Sequence, residues 1–195
     1  MFRFKSVIAS VALLLSAGMS ATARDAEQEN APDARTQQEQ KLEGLRFMLR
    51  RAEFVRLLAA EHLQYLNANR DKAAFHMLEE ASQVMSYNLI CDDEAMDGRT
   101  LNNIAAQTTL QISTLIDESP AGETMAEAMK TLGVGDRLVL LADVSTAVFM
   151  FKIGRRRGLF DALLTDFGPK RFCSGMGSDM RRRYNGLVAG LPGDE

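Results

Sequence analysis

Two histidines, two cysteines and four prolines are all that the 195 residues contain of these types. Each scarcity removes a class of chemistry. Neither His62 nor His76 belongs to an HExxH pair or to a two-Cys, two-His zinc spacing. His76 is followed by Glu79 and Glu80 at helical steps, but a di-metal bundle needs matching Glu-x-x-His pairs on other helices, and the chain has none. The cluster is expected to be surface pairing. There is no CxxC, which argues against redox catalysis. No serine stands in a GxSxG turn, and no glycine-rich loop ends in GK[ST]. "SGMGSD" at 174–179 could offer backbone N–H groups to an anion. The plainer expectation is a linker with Ser178 capping the next helix. Met125/Met129 and Met176/Met180 repeat at four-residue spacing without His or Cys beside them, so they are expected to fill core rather than bind copper. No cofactor, metal or catalytic residue is expected from these patterns.

The chain opens with a three-part layout. Arg3 and Lys5 are followed by the apolar run 7–15 and by the small residues Ala21-Thr22-Ala23. This is the arrangement of a secretory signal cleaved after Ala23. The expected division is a signal peptide at 1–23, a polar disordered linker at 24–36 and a single helical domain at 37–195. Export places the two cysteines where disulfides persist, so Cys91 and Cys173 are expected to be bonded.

Charge is unevenly spread. Residues 24–136 hold 11 basic and 20 acidic side chains, while 137–195 hold 10 basic and 6 acidic. The simplest consequence is complementarity between the two halves. An acidic chain without a nucleic-acid-binding motif is not expected to bind nucleic acid.

No segment alternates with a two-residue period, and apolar residues recur at three- and four-residue steps instead. The first helix carries the stripe Leu42, Leu45, Leu49, Ala52, Val55, Ala59, Leu63, Leu66. Asn67-Ala68-Asn69 weakens it, and Asp71 can cap the next helix, which ends near Cys91. Asp97 or Thr100 can start a third, with Leu101, Ile104, Thr108 and Ile112 on one face. Ser119 and Pro120 mark the start of a fourth, and Gly133 its stop. Asp136 caps a fifth, apolar nearly all round, expected to end at Gly154 or Gly158. "GLFDALLTDFGP" reads as a short sixth helix, and a last one follows Ser178. The fold class is all-α: a bundle of five to seven helices with one disulfide. No internal repeat of fixed period appears, which argues against a solenoid. The apolar run 138–153 is too short and too polar to span a bilayer.

Two arginine triplets stand out, Arg155-Arg156-Arg157 and Arg181-Arg182-Arg183. Successive residues on a helix differ by about 100°, so the members of a triplet cannot point the same way. One arginine of each is expected to pair with the acidic half, and the rest to form a solvated basic patch near the disulfide. Asp143, alone on the apolar helix, is expected to pair with an arginine or to face solvent. These features point to an exported, periplasmic or secreted, non-enzymatic helical protein. Its partner would be an envelope protein or an anionic surface. The alternative is an envelope enzyme or small-ligand binder with a pocket inside the bundle, using residues such as Asp143, Arg155 and His62.

Overall fold

The computed structural model describes residues 34–132 and 136–192. The expected signal peptide, most of the expected linker and the expected Gly133 stop lie outside them. The described residues form six α-helices and contain no strand: α1 (Ala34–Ala68), α2 (Ala73–Cys91), α3 (Gly98–Thr114), α4 (Pro120–Leu132), α5 (Arg137–Phe167) and α6 (Pro169–Ala189). A 3-10 turn, Ile116–Glu118, joins α3 to α4. Helix α1 opens at Ala34, inside the stretch expected to be linker. The packing below concerns the compact unit from Glu43 onward.

Helix α2 lies at the centre, against α3, α5 and α6. Its small residues Ala81, Ser82 and Ser86 are fully buried, which lets α5 approach closely. The Ser86 hydroxyl lies 2.6 Å from the Ser82 carbonyl oxygen and 3.0 Å from that of Ile153 on α5. Leu78 and Val84 of α2, Ile104 and Ile112 of α3, Met125 of α4, Val144 and Val148 of α5 and Met180 of α6 complete a fully buried core. Met125 and Met180 are thus packing residues, with Met129 and Met176 against the same core.

Local chemistry sets the helix starts. The Asp97 carboxylate accepts from the Thr100 N–H at 2.8 Å, and that of Asp136 from the Leu138 N–H at 2.8 Å. Both satisfy otherwise orphaned donors. Helix α2 starts after Lys72 with no side-chain cap, so Asp71 does not cap it.

Two expected boundaries are corrected. Helix α5 runs unbroken through Gly154 and Gly158 for 31 residues. Glycine in an exposed helix costs about 1 kcal/mol against alanine but does not break it. Ile153 and Phe160 keep the helix pinned to the core across both positions. The stretch 174–179 is helical too, because α6 begins at Pro169. One residue, Gly168, separates the two helices. Its φ of 75° is a backbone conformation that favours glycine, and Pro169 then fits the first helical turn.

A third correction concerns the α1 stripe. Ala59, Leu63 and Leu66 are buried, with Leu58 and His62. Leu45 and Leu49 are exposed, because no element of this unit covers those turns.

The bridge between Cys91 and Cys173 has a Cα–Cα distance of 5.6 Å. It ties the last residue of α2 to the first turns of α6 rather than to a loop. The Tyr87 hydroxyl lies 3.1 Å from the Cys173 carbonyl oxygen, and the Tyr184 hydroxyl accepts from the Asp97 N–H at 3.2 Å.

Candidate functional site

Lys152 is the most unusual charged residue of the unit, since it is only 6% exposed. A buried ammonium needs a partner, and Lys152 has two. Its Nζ bonds the Glu79 carboxylate on α2 and lies 5.4 Å from the centroid of the Phe75 ring. Arg156, one turn along α5, bonds the other oxygen of Glu79. Burial works against ionisation of Glu79. Hydrogen bonds from Lys152 and Arg156 outweigh it and hold the carboxyl below its ordinary value of 4.5.

This triad forms one wall of a cavity of about 390 Å³. Helical spacing builds it. Lys152, Arg155, Arg156 and Leu159 sit three or four residues apart and share a face of α5, as Phe75 and Glu79 do on α2. Asn67 and Arg70 close the cavity from the end of α1. Four cations therefore face one carboxylate. Arg155 is exposed and has no ion-pair partner among the described residues. Arg70 is exposed, and its Nε donates to the Asn67 carbonyl at 3.1 Å. The arrangement is a concave cationic site with two of its cations uncommitted to any carboxylate.

The second triplet differs. Arg181 holds Asp93 through two hydrogen bonds of 2.9 and 3.0 Å. Arg183 bonds Glu80 on α2 and Asp179 on its own helix, and Arg182 also bonds Asp179. Hydrogen bonding from Arg181 lowers the Asp93 pKa against the opposing effect of burial. All three arginines are thus engaged, and two of them reach beyond α6. The hollow beside the disulfide holds Arg181 together with Asp92, Asp93 and Glu94. It is acidic, not basic. In the first triplet Arg156 makes the cross-helix pair, and Arg155 and Arg157 are exposed.

No protein-family model, curated protein or solved structure matches this chain.

The remaining sequence candidates have structural roles here. Asp143 pairs with Arg51 of α1, Oδ2 to Nη2 at 2.6 Å. His62 is fully buried, with Nδ1 3.0 Å from the Ser119 Oγ and Nε2 3.1 Å from the Ile112 carbonyl oxygen. The carbonyl can only accept, so Nε2 carries the proton in the neutral ring. A serine and a histidine within hydrogen-bond reach suggest a nucleophile. Here both are sealed in the core, and the Ser119 hydroxyl also lies 2.7 Å from the Ile116 carbonyl oxygen. Among the described residues no cluster of three or more His, Cys, Asp or Glu is placed to hold a metal ion. No helix of the described residues is long and apolar enough to cross a membrane.

Sequence reading picked out Arg155 and Arg156 but missed Lys152, Glu79, Phe75 and Arg70 as their companions. The signal was present on α5, where a lone lysine interrupts an apolar run. Its partners come from helices more than 70 residues away in sequence, and nothing in the chain announces that pairing.

Proposed function

We propose that this is an exported, non-enzymatic helical protein that binds an anionic group of an envelope partner in the cationic cavity between α1, α2 and α5. The observation that carries the reading is the excess of cations there: Arg70, Lys152, Arg155 and Arg156 against Glu79 alone. Lys152 and Arg156 are held rigid by Glu79, so they need not lose further freedom on binding. Arg155 and Arg70 remain available to a carboxylate or phosphate oxygen. The Cys91–Cys173 bridge and the N-terminal sequence layout support export.

Retention on heparin and on anionic phospholipid vesicles tests this. Arg155→Gln and Arg70→Gln should weaken retention in a salt-dependent way while melting within about 0.5 kcal/mol of the parent. Arg182→Gln, also exposed, should leave retention unchanged. Equal retention of all three variants would overturn the reading.

A further inference from the structure

The cationic cavity does not end at Asn67. That residue also lines a second hollow of about 540 Å³ running along α1 and α5. Its walls are mostly apolar, with Ala52, Val55, Ala59 and Leu63 from α1 and Ala147 and Phe151 from α5; Gln64 and Arg56, the latter paired with Glu53, also line it. Ala52, Val55 and Ala147 continue into a third hollow of about 400 Å³, which reaches the Arg51–Asp143 pair. The three hollows share lining residues and follow one another along α1 and α5 of the same unit, with α2 joining at the cationic end, as one groove. It has an apolar body and a cationic end.

Two large side chains line this run although they face water: Phe151 is 61% and Leu159 53% exposed. Apolar surface left open along a groove marks a place where something apolar binds. The small residues at Ala52, Ala59, Ala60 and Ala147 leave room that larger side chains would fill. From Ala52 to Asn67 the groove follows fifteen residues of helix, about 22 Å. In one leaflet of a bilayer, whose hydrocarbon is about 30 Å thick in all, a long acyl chain occupies a depth of about 15 Å. The groove is long enough for one such chain.

We infer that the groove binds a single-chain anionic amphiphile of the long-chain fatty-acid class, as a monomer. The carboxylate would sit against Arg155 and Arg70, and the chain would lie along Asn67 toward Ala52. The inference rests on the anion-binding reading of the same cavity and adds the apolar half of the ligand. Charge complementarity fixes the orientation, because the other arginines along the groove, Arg56 and Arg51, are already paired with Glu53 and Asp143.

Isothermal titration with hexadecanoate below its micelle concentration tests it, with butanoate and hexadecanol as the head-only and chain-only probes. The expected result is one hexadecanoate per chain, bound at least about tenfold more tightly than either control. Ala52→Trp and Ala60→Trp, both at exposed groove positions, and Arg155→Gln should each weaken hexadecanoate by about tenfold with the melting temperature unchanged. Should a tryptophan variant melt early, Phe151→Ser removes part of the same wall from an exposed site. Hexadecanol binding as tightly as hexadecanoate overturns the inference. So does hexadecanoate binding that ignores the groove variants, or retention on anionic vesicles without binding of the monomeric acid. If heparin retention still depends on Arg155 in those cases, the anion-binding reading stands and only the amphiphile is lost. If Arg155→Gln changes neither measurement, both fall.

Discussion

The ammonium of Lys152 lies 5.4 Å from the centre of the Phe75 ring while bonded to Glu79, so one buried cation is held by a carboxylate and an aromatic face together. Removing the carboxylate leaves the buried cation and its neighbour Arg156 without a counter-charge. Glu79→Gln should destabilise by about 3 kcal/mol, the cost of breaking a buried pair from one side. Urea denaturation at neutral pH measures it. A loss below about 0.5 kcal/mol would mean that water reaches Lys152.

The same carboxylate sets an acid limit. Its folded pKa lies below the ordinary 4.5, so its stabilisation is present above that value and is lost as pH falls through the lowered one. His62 acts at milder pH. Burial lowers its pKa from 6.5, opposed in part by the hydrogen bond to Ile112. Below pH 6.5 the unfolded chain takes up a proton that the folded chain refuses, so stability falls as pH drops. For this one group the slope approaches at most about 1.4 kcal/mol per pH unit. Chemical denaturation between neutral pH and pH 5 should show the loss, and His62→Gln should flatten it. An unchanged slope in that variant would place the titrating group elsewhere.

Glycines divide into two groups. A Cβ built at Gly154 or Gly158 meets nothing within 4 Å, so Gly154→Ala and Gly158→Ala should each stabilise by about 0.5–1 kcal/mol through helix propensity. At Gly122 a Cβ would stand 2.5 Å from the Ile116 carbonyl oxygen, a backbone atom that cannot swing away. Gly122→Ala should destabilise by about 1–3 kcal/mol or more, as overpacking does. Thermal melts of the three variants give opposite signs if the geometry holds.

The bridge joins residues 82 apart in sequence. The chain-entropy account gives a loop of this size about 4–5 kcal/mol of stabilisation. Cys91→Ser with Cys173→Ser should therefore lower stability by about 2–5 kcal/mol. A double variant as stable as the parent would show that the contacts of Tyr87 and Tyr184 hold α6 unaided.

The chain's periodicity was enough for the all-α class, the helices around Leu78, Ile104 and Val144, and the caps at Asp97 and Asp136, because these depend on residues a few positions apart. Compartment chemistry was enough to expect the Cys91–Cys173 bond, since two cysteines in a chain whose N-terminus reads as an export signal leave one pairing. Helix ends at glycine were misjudged at Gly154 and Gly158. A glycine's cost of about 1 kcal/mol is overruled when Ile153 and Phe160 bury on either side of it, and that burial is not visible along the chain. The arginine triplets marked a cationic segment, but their fates differ. Arg181 and Arg183 are consumed by Asp93 and Glu80, whereas Arg155 is left facing a cavity. The site itself belongs to the tertiary structure. Lys152, Glu79 and Phe75 meet only because the buried small residues of α2 let α5 come close, and Arg70 joins them only because α1 ends there. A groove is the space left between helices, and its size follows from how they cross, which no local pattern of residues encodes.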